Sequence, residues 1–188
     1  METAVPKLRR QSQKSRKSRR NRILKLQEAK RLAFKVMQTI GDCCEKVEVA
    51  GSVRRRRGEV HDIDIVVIPK PFMWGRIPIL MRSELDAKPG IGGPELIRMY
   101  VPFANSPDGQ AQVDFYAAKP ETWGVILLIR TGSTDHNIRL CTHAKALEMM
   151  LSASRGVVEK GMVVASKTEE DIFKALILPY VAPGDREV

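Results

Sequence analysis

The sequence predicts an α+β fold, within the broad α/β class, and three observations carry that expectation. Apolar β-branched and alternating runs, above all Ile65-Val66-Val67-Ile68, have the composition of strands. Other segments carry apolar residues at helical spacing. Two further strand-like runs flank Asn105-Ser106-Pro107-Asp108-Gly109, turn chemistry that folds them into a hairpin. The 188 residues, 43% of them hydrophobic, suit one compact domain or a domain with a small lobe. No internal repeat is visible.

Net charge is +10, and it is unevenly placed: residues 1–31 hold 12 Lys and Arg against 2 acids, and the remainder is formally neutral. Residues 1–20 have almost no apolar content and cannot bury enough surface to fold alone. Two readings stand for them: a solvated tail, or an anchor on phosphate backbones whose affinity falls steeply with salt. Three cysteines, Cys43, Cys44 and Cys141, give neither zinc spacing nor an even disulfide set, which favours a reducing compartment. No apolar run reaches the roughly 18 residues of a membrane span. The basic start lacks the apolar stretch of a secretory signal, so a protein that is not secreted is expected.

In chain order, apolar spacing predicts a helix over 23–40, stopped by Gly41. Val47 to Ala50 reads as a first strand and Ile63 to Ile68 as a second, ended by Pro69 and Pro71. A short helix is expected near Ile79 to Leu85, and Gly90 to Pro94 reads as a turn cluster. Leu96 to Phe103 and Gln110 to Ala117 form the hairpin. Pro120 suits the first turn of a helix to about Ile129, and Thr131-Gly132-Ser133 breaks it. Ser133 or Thr134 caps a helix expected from Asp135 to Met150. Val157-Val158 and Met162 to Ala165 flank a small hairpin, and Thr168-Glu169-Glu170-Asp171 opens a last helix, ended by Pro179.

The chemistry gathers at residues 50–64, Ala-Gly-Ser-Val-Arg-Arg-Arg-Arg-Gly-Glu-Val-His-Asp-Ile-Asp. On a strand, residues i and i+2 share a face, so Asp62 and Asp64 project side by side. Two like charges so close are stabilised by a cation between them, and hard oxygen ligands suit Mg²⁺. Gly51-Ser52 offers backbone N–H groups and a hydroxyl to a phosphate, with Arg54 to Arg57 adding positive charge. Asp114, in Gln112-Val113-Asp114-Phe115-Tyr116, lies on the polar side of its strand and is the natural third carboxylate. His61, His136 and His143 read as packing or surface residues.

Gly51-Ser52-x-Arg54-Arg55 followed by Asp62-x-Asp64 resembles the signature of the nucleotidyltransferase superfamily, and in particular of family X DNA polymerases, the polymerase beta group. Thr131-Gly132-Ser133 with Asn137 and His143-Ala144 resembles that family's nucleotide-binding helix. The run from Ala165-Ser166 through Thr168-Glu169-Glu170-Asp171-Ile172-Phe173 to Leu178-Pro179-Tyr180-Val181 resembles its thumb. The likeness covers roughly residues 30–188.

The resemblance implies a nucleotidyltransferase palm with a mixed, largely antiparallel sheet and flanking helices, plus a small α+β thumb. It divides the chain into a basic flexible leader (1–21), a palm (22–118) and a thumb-like nucleotide-binding subdomain (119–188). It implies two Mg²⁺, or Mn²⁺ in their place, held by Asp62, Asp64 and Asp114 as catalytic ligands. Gly51, Ser52, Arg55, Thr131, Gly132, Ser133 and Asn137 would bind the nucleotide. The implied activity is DNA-directed synthesis from dNTPs on a primer-template or gapped DNA, as in short-gap repair, by a monomer in the cytoplasm or at the nucleoid. The family's lyase and fingers regions have no counterpart, and no lyase activity is expected. Three departures stand out: His61 where a small residue is usual, Ile129-Arg130 in place of an aromatic pair, and Cys141 in place of a template-contacting arginine. They motivate a second reading, a template-independent or RNA-directed nucleotidyltransferase with weak sugar discrimination. A third is a non-catalytic nucleic-acid-binding module, which the presence of all three aspartates disfavours.

Overall fold

The computed structural model describes residues 23–106 and 109–187. The basic leader (1–21) and residues 107–108 of the hairpin turn lie outside the described residues. The fold is mixed α+β. Strand β1 (Leu24–Lys25) leads into helix α1 (Leu26–Ile40). Then come β2 (Cys44–Val49), the one-turn α2 (Gly51–Arg54), β3 (Glu59–Val60), β4 (Ile63–Pro69) and α3 (Ile77–Leu85). The first half closes with β5 (Lys88–Gly92), β6 (Leu96–Pro102) and β7 (Gln110–Ala117). The second half holds α4 (Trp123–Thr131), α5 (Thr134–Ala146), β8 (Met149–Ser152), β9 (Gly156–Glu159), β10 (Met162–Ala165) and α6 (Glu169–Ala175).

The main sheet has the order β2-β4-β7-β6-β5. Its β4–β7 pair is parallel and its other pairs are antiparallel, the mixed, largely antiparallel sheet that was expected. Strand β4 is covered on both faces, as its β-branched run requires. Ile63, Ile65 and Val67 enter one core with Phe115 and with Ala29, Leu32, Ala33, Val36 and Ile40 of α1. Val66 and Ile68 point the other way, into a smaller cluster with Trp123 and Leu127 of α4. Each such Val, Ile or Leu contributes about 1.5–3 kcal/mol on full burial. A third core, around Val125, Leu128, Leu140, Val157, Ile172 and Phe173, serves the second half.

Several elements differ from expectation, four of them for reasons visible in the packing. The first helix starts at Leu26 because Leu24 is buried as an extended residue paired with Val60. The Gly51-Ser52 turn is the first half of a helical turn. Gly90 to Gly92 is strand rather than turn. It lies at the sheet edge, where one side of the backbone needs no partner and Pro and Gly are tolerated. Helix α5 stops at Ala146, and Met149–Ser152 instead pairs with β9. There tertiary pairing overrides the helix propensity of Leu and Met.

Candidate active site

The parallel register of β4 and β7 sets Asp64 directly beside Asp114. Gln112, Asp114 and Tyr116 share one face of β7, and the buried Val113 and Phe115 take the other. Asp62 precedes β4 on the same side as Asp64. One carboxylate oxygen from each of Asp62, Asp64 and Asp114 lies within 4.8 Å of the others. Helix α2 closes the floor, since Ala50 N–H donates to Asp64 O at 2.8 Å and Gly51 packs against the Asp64 side chain. The Ser52 hydroxyl is buried and has no hydrogen-bond partner among the described residues.

Burial first, then Asp62 and Asp114, push the Asp64 carboxyl up to about 7. A set of three crowded carboxylates, with no imidazole or thiolate among them, fits hard divalent cations such as Mg²⁺ or Mn²⁺. Three of the residues around the triad were not anticipated from sequence. Arg98 of β6 stands opposite Asp114 and grips both its oxygens, at 2.7 and 2.6 Å. Gln112 Nε2 donates to Asp114 Oδ2 at 3.2 Å, and the Tyr116 hydroxyl lies 3.5 Å from the same oxygen.

The arginines after Gly51-Ser52 reach across to the second half of the chain. Arg54 forks onto Glu169 at 2.8 and 2.7 Å and donates to Thr131 Oγ1 at 2.9 Å. Arg186, fully buried, donates to Glu169 Oε1, an oxygen it shares with Arg54, at 2.7 Å and to Val181 O at 2.9 Å. Burial alone would raise the Glu169 carboxyl, but the hydrogen bonds from Arg54 and Arg186 outweigh it and hold it below the usual range. Arg55 donates to Thr131 O and to Glu187, and Arg57 to Glu187 at 2.9 Å.

The remaining expected residues gather on one turn. Thr131 is buried at the end of α4, and Gly132 lies against the Arg55 guanidinium. Ser133 caps α5, accepting from His136 N–H, and its hydroxyl donates to Arg186 O at 2.7 Å. Asn137 Nδ2 donates to Ile129 O at 2.8 Å, and among the described residues its buried side-chain oxygen has no hydrogen-bond partner. The triad with Gly51 and Ser52 thus forms one cluster. Arg55, Thr131, Gly132, Ser133 and Asn137 form a second, joined to the first by α2. The roles of Glu169 and Arg186 are invisible in the sequence, because the Arg54–Glu169 and Arg186–Glu169 pairs join residues 115 and 17 positions apart, whereas Tyr116 shares the Asp114 face by strand alternation.

Three comparisons bear on this arrangement. The family described as DNA polymerase beta thumb matches residues 126–187. The DNA polymerase/3′-5′ exonuclease PolX of Bacillus subtilis is 29% identical over 149 residues, 76% of this chain. The chain spans only about a quarter, 24%, of that relative's length. The crystal structure of Leishmania infantum polymerase beta, a ternary gap complex, superposes with a TM-score of 0.77. That match covers 91% of this chain and 72% of the other at 16% identity, a likeness of fold.

Proposed function

We propose that the chain, which resembles family X DNA polymerases in its match to the polymerase beta thumb and in its fold, transfers a nucleotide from a dNTP to a primer 3′-hydroxyl. The observation that supports this most is the convergence of Asp62, Asp64 and Asp114 within 4.8 Å, beside the Gly51-Ser52 turn. The three aspartates would hold the divalent ions in this reading. Two divalent cations bound there, Mg²⁺ or Mn²⁺, would lower the pKa of the attacking hydroxyl and neutralise charge on the triphosphate.

The protein's own groups do the rest by positioning. Gly51 lets backbone N–H groups approach the phosphates, and the partnerless Ser52 hydroxyl is a donor for one of them. Arg55 takes a terminal phosphate by exchanging its bond to Glu187. Thr131, Gly132 and Ser133 carry the sugar and base, and the free Asn137 side-chain oxygen is available to the base edge. Residues 22–118 serve as palm and 119–188 as thumb. The leader at 1–21 grips the DNA backbone, and short-gap filling by a monomer in the cytoplasm or at the nucleoid follows as the working role. Among the described residues no helix is long and apolar enough to cross a membrane.

The second reading, a template-independent or RNA-directed transferase with weak sugar discrimination, draws on two observations. Arg130 is folded over Tyr116, with no aromatic side chain at 129 or 130, and Cys141 is exposed. A primer-extension assay comparing matched template with none, and dNTP with NTP, decides between the two. Template-directed dNTP addition that requires Mg²⁺ supports the first reading. Addition without template, or equal use of NTPs, supports the second. No incorporation at all overturns both.

A further inference from the structure

Tyr116 sits on β7 two residues beyond Asp114, on the same face. Its hydroxyl points to Asp114 Oδ2, 3.5 Å away. Its ring is covered by Arg130, whose guanidinium carbon stands 4.0 Å from the ring centroid. Arg130 belongs to the last turn of α4 and immediately precedes Thr131-Gly132-Ser133. Arg130 is exposed and Tyr116 half-buried, its ring packed beside the Val66, Trp123 and Leu127 cluster. A cation stacked on a ring is an attraction with a preferred geometry. It therefore fixes the phenol and, through it, the hydroxyl.

Building on the proposed function, we infer that Tyr116 is a positioning residue for the metal carboxylates and that Arg130 holds it in place, so that the nucleotide-binding turn and the metal site are mechanically coupled through one stacked pair. Carboxylate ligands are themselves oriented by hydrogen bonds from the next layer out, and loss of such a bond typically costs 10–100-fold in metal affinity. The Tyr116 hydroxyl is such a donor to Asp114. A movement of the 131–133 turn that draws Arg130 away would release the phenol and loosen the carboxylates. A well-seated turn tightens them.

The test is Mn²⁺ binding to the full chain without nucleotide, read by electron paramagnetic resonance, alongside the dNTP KM of each variant. Tyr116→Phe keeps the ring and the stack and removes only the hydroxyl. It is expected to weaken Mn²⁺ binding about tenfold or more. Arg130→Leu should weaken it comparably, and Arg130→Lys, which can still place a cation over the ring, should restore most of the affinity. Because Arg130 acts through Tyr116, the double variant should be no worse than either single one, and Arg130→Leu alone should also raise KM. Equal unfolding midpoints control for folding. Wild-type Mn²⁺ affinity in Tyr116→Phe, or losses that multiply in the double variant, would overturn the coupling. If wild type binds Mn²⁺ but incorporates no nucleotide, the polymerase reading fails and the Mn²⁺ series still decides this inference.

Discussion

A Cβ on residue 51 would fall 1.9 Å from Asp64 Oδ2 and 2.8 Å from its Cγ. Residue 51 also has φ +57°, in the left-handed region that a side chain adopts only at a cost. Glycine there is what lets the turn after β2 and a metal carboxylate occupy adjoining space.

Gly51→Ala should therefore injure the site before it injures the fold. The added methyl displaces the Asp64 carboxylate, and the left-handed backbone costs about 1–3 kcal/mol. Metal affinity is expected to fall at least about tenfold, as when an orienting contact is lost. Titration with Mn²⁺ beside urea unfolding reads both effects, and unchanged metal affinity would show that the close approach is not functional.

Asp64 gives a pH dependence whose sign is fixed. Its carboxyl is raised to about 7, above the roughly 3.9 of an unfolded aspartate. Between those values the folded protein holds a proton that the unfolded chain releases. The stability of the metal-free protein therefore falls as pH rises through that window and levels off above about 7. Asp64→Asn should remove this slope, raise the unfolding midpoint of the metal-free protein at about pH 8, and abolish nucleotide incorporation. Metal binding should tighten as pH rises through the same range, because ligation needs the ionised group. Melting curves in a chelator at a series of pH values check the first claim, and Mn²⁺ titration the second. A flat wild-type profile would contradict the crowding of the three carboxylates.

How much of this was legible beforehand follows from the range of each signal. Asp62 and Asp64 are local, so strand alternation alone places them together. Asp114 is 50 residues beyond Asp64, yet its own alternation put it on the correct face of β7. Arg98 was within reach: the hairpin was recognised, and pairing outward from its turn brings the face holding Arg98 against the face holding Asp114. Glu169 was read only as part of a helix cap. Its neighbours supply that capping, for Thr168 accepts from Asp171 N–H, whereas the Glu169 side chain turns inward to two arginines 115 and 17 residues away. No periodicity reports such a contact. The edge strand at 88–92 was hidden for a different reason, since Pro89, Gly90 and Gly92 carry turn composition and only their place at the sheet edge makes them strand.

The Glu169 cluster should be a stability feature before it is a catalytic one. Glu169→Gln leaves Arg186, fully buried, without its carboxylate, and removes the Arg54 fork as well. Breaking a buried pair from one side costs about 3–5 kcal/mol, because the remaining charge stays desolvated. A lowered urea midpoint is expected, with Arg186→Met in the same background recovering part of the loss. A Glu169→Gln protein as stable as wild type would mean that solvent reaches this cluster.

Glu187 presents the opposite case, a contact that should restrain activity. Its carboxylate takes Arg55 and Arg57 at once, and Arg55 is the group assigned to a terminal phosphate. A triphosphate must displace a carboxylate that lies near the surface, where such pairs are worth about 0.2–1 kcal/mol. Glu187→Gln is thus expected to lower the dNTP KM by up to about fivefold, with kcat nearly unchanged and with a weaker dependence on salt. Arg55→Gln should raise KM and make the Glu187 substitution silent, since the competitor then has no shared target. Steady-state kinetics on the two single variants and the double variant read this directly. A higher KM in Glu187→Gln would assign the carboxylate to organising Arg55 rather than competing for it.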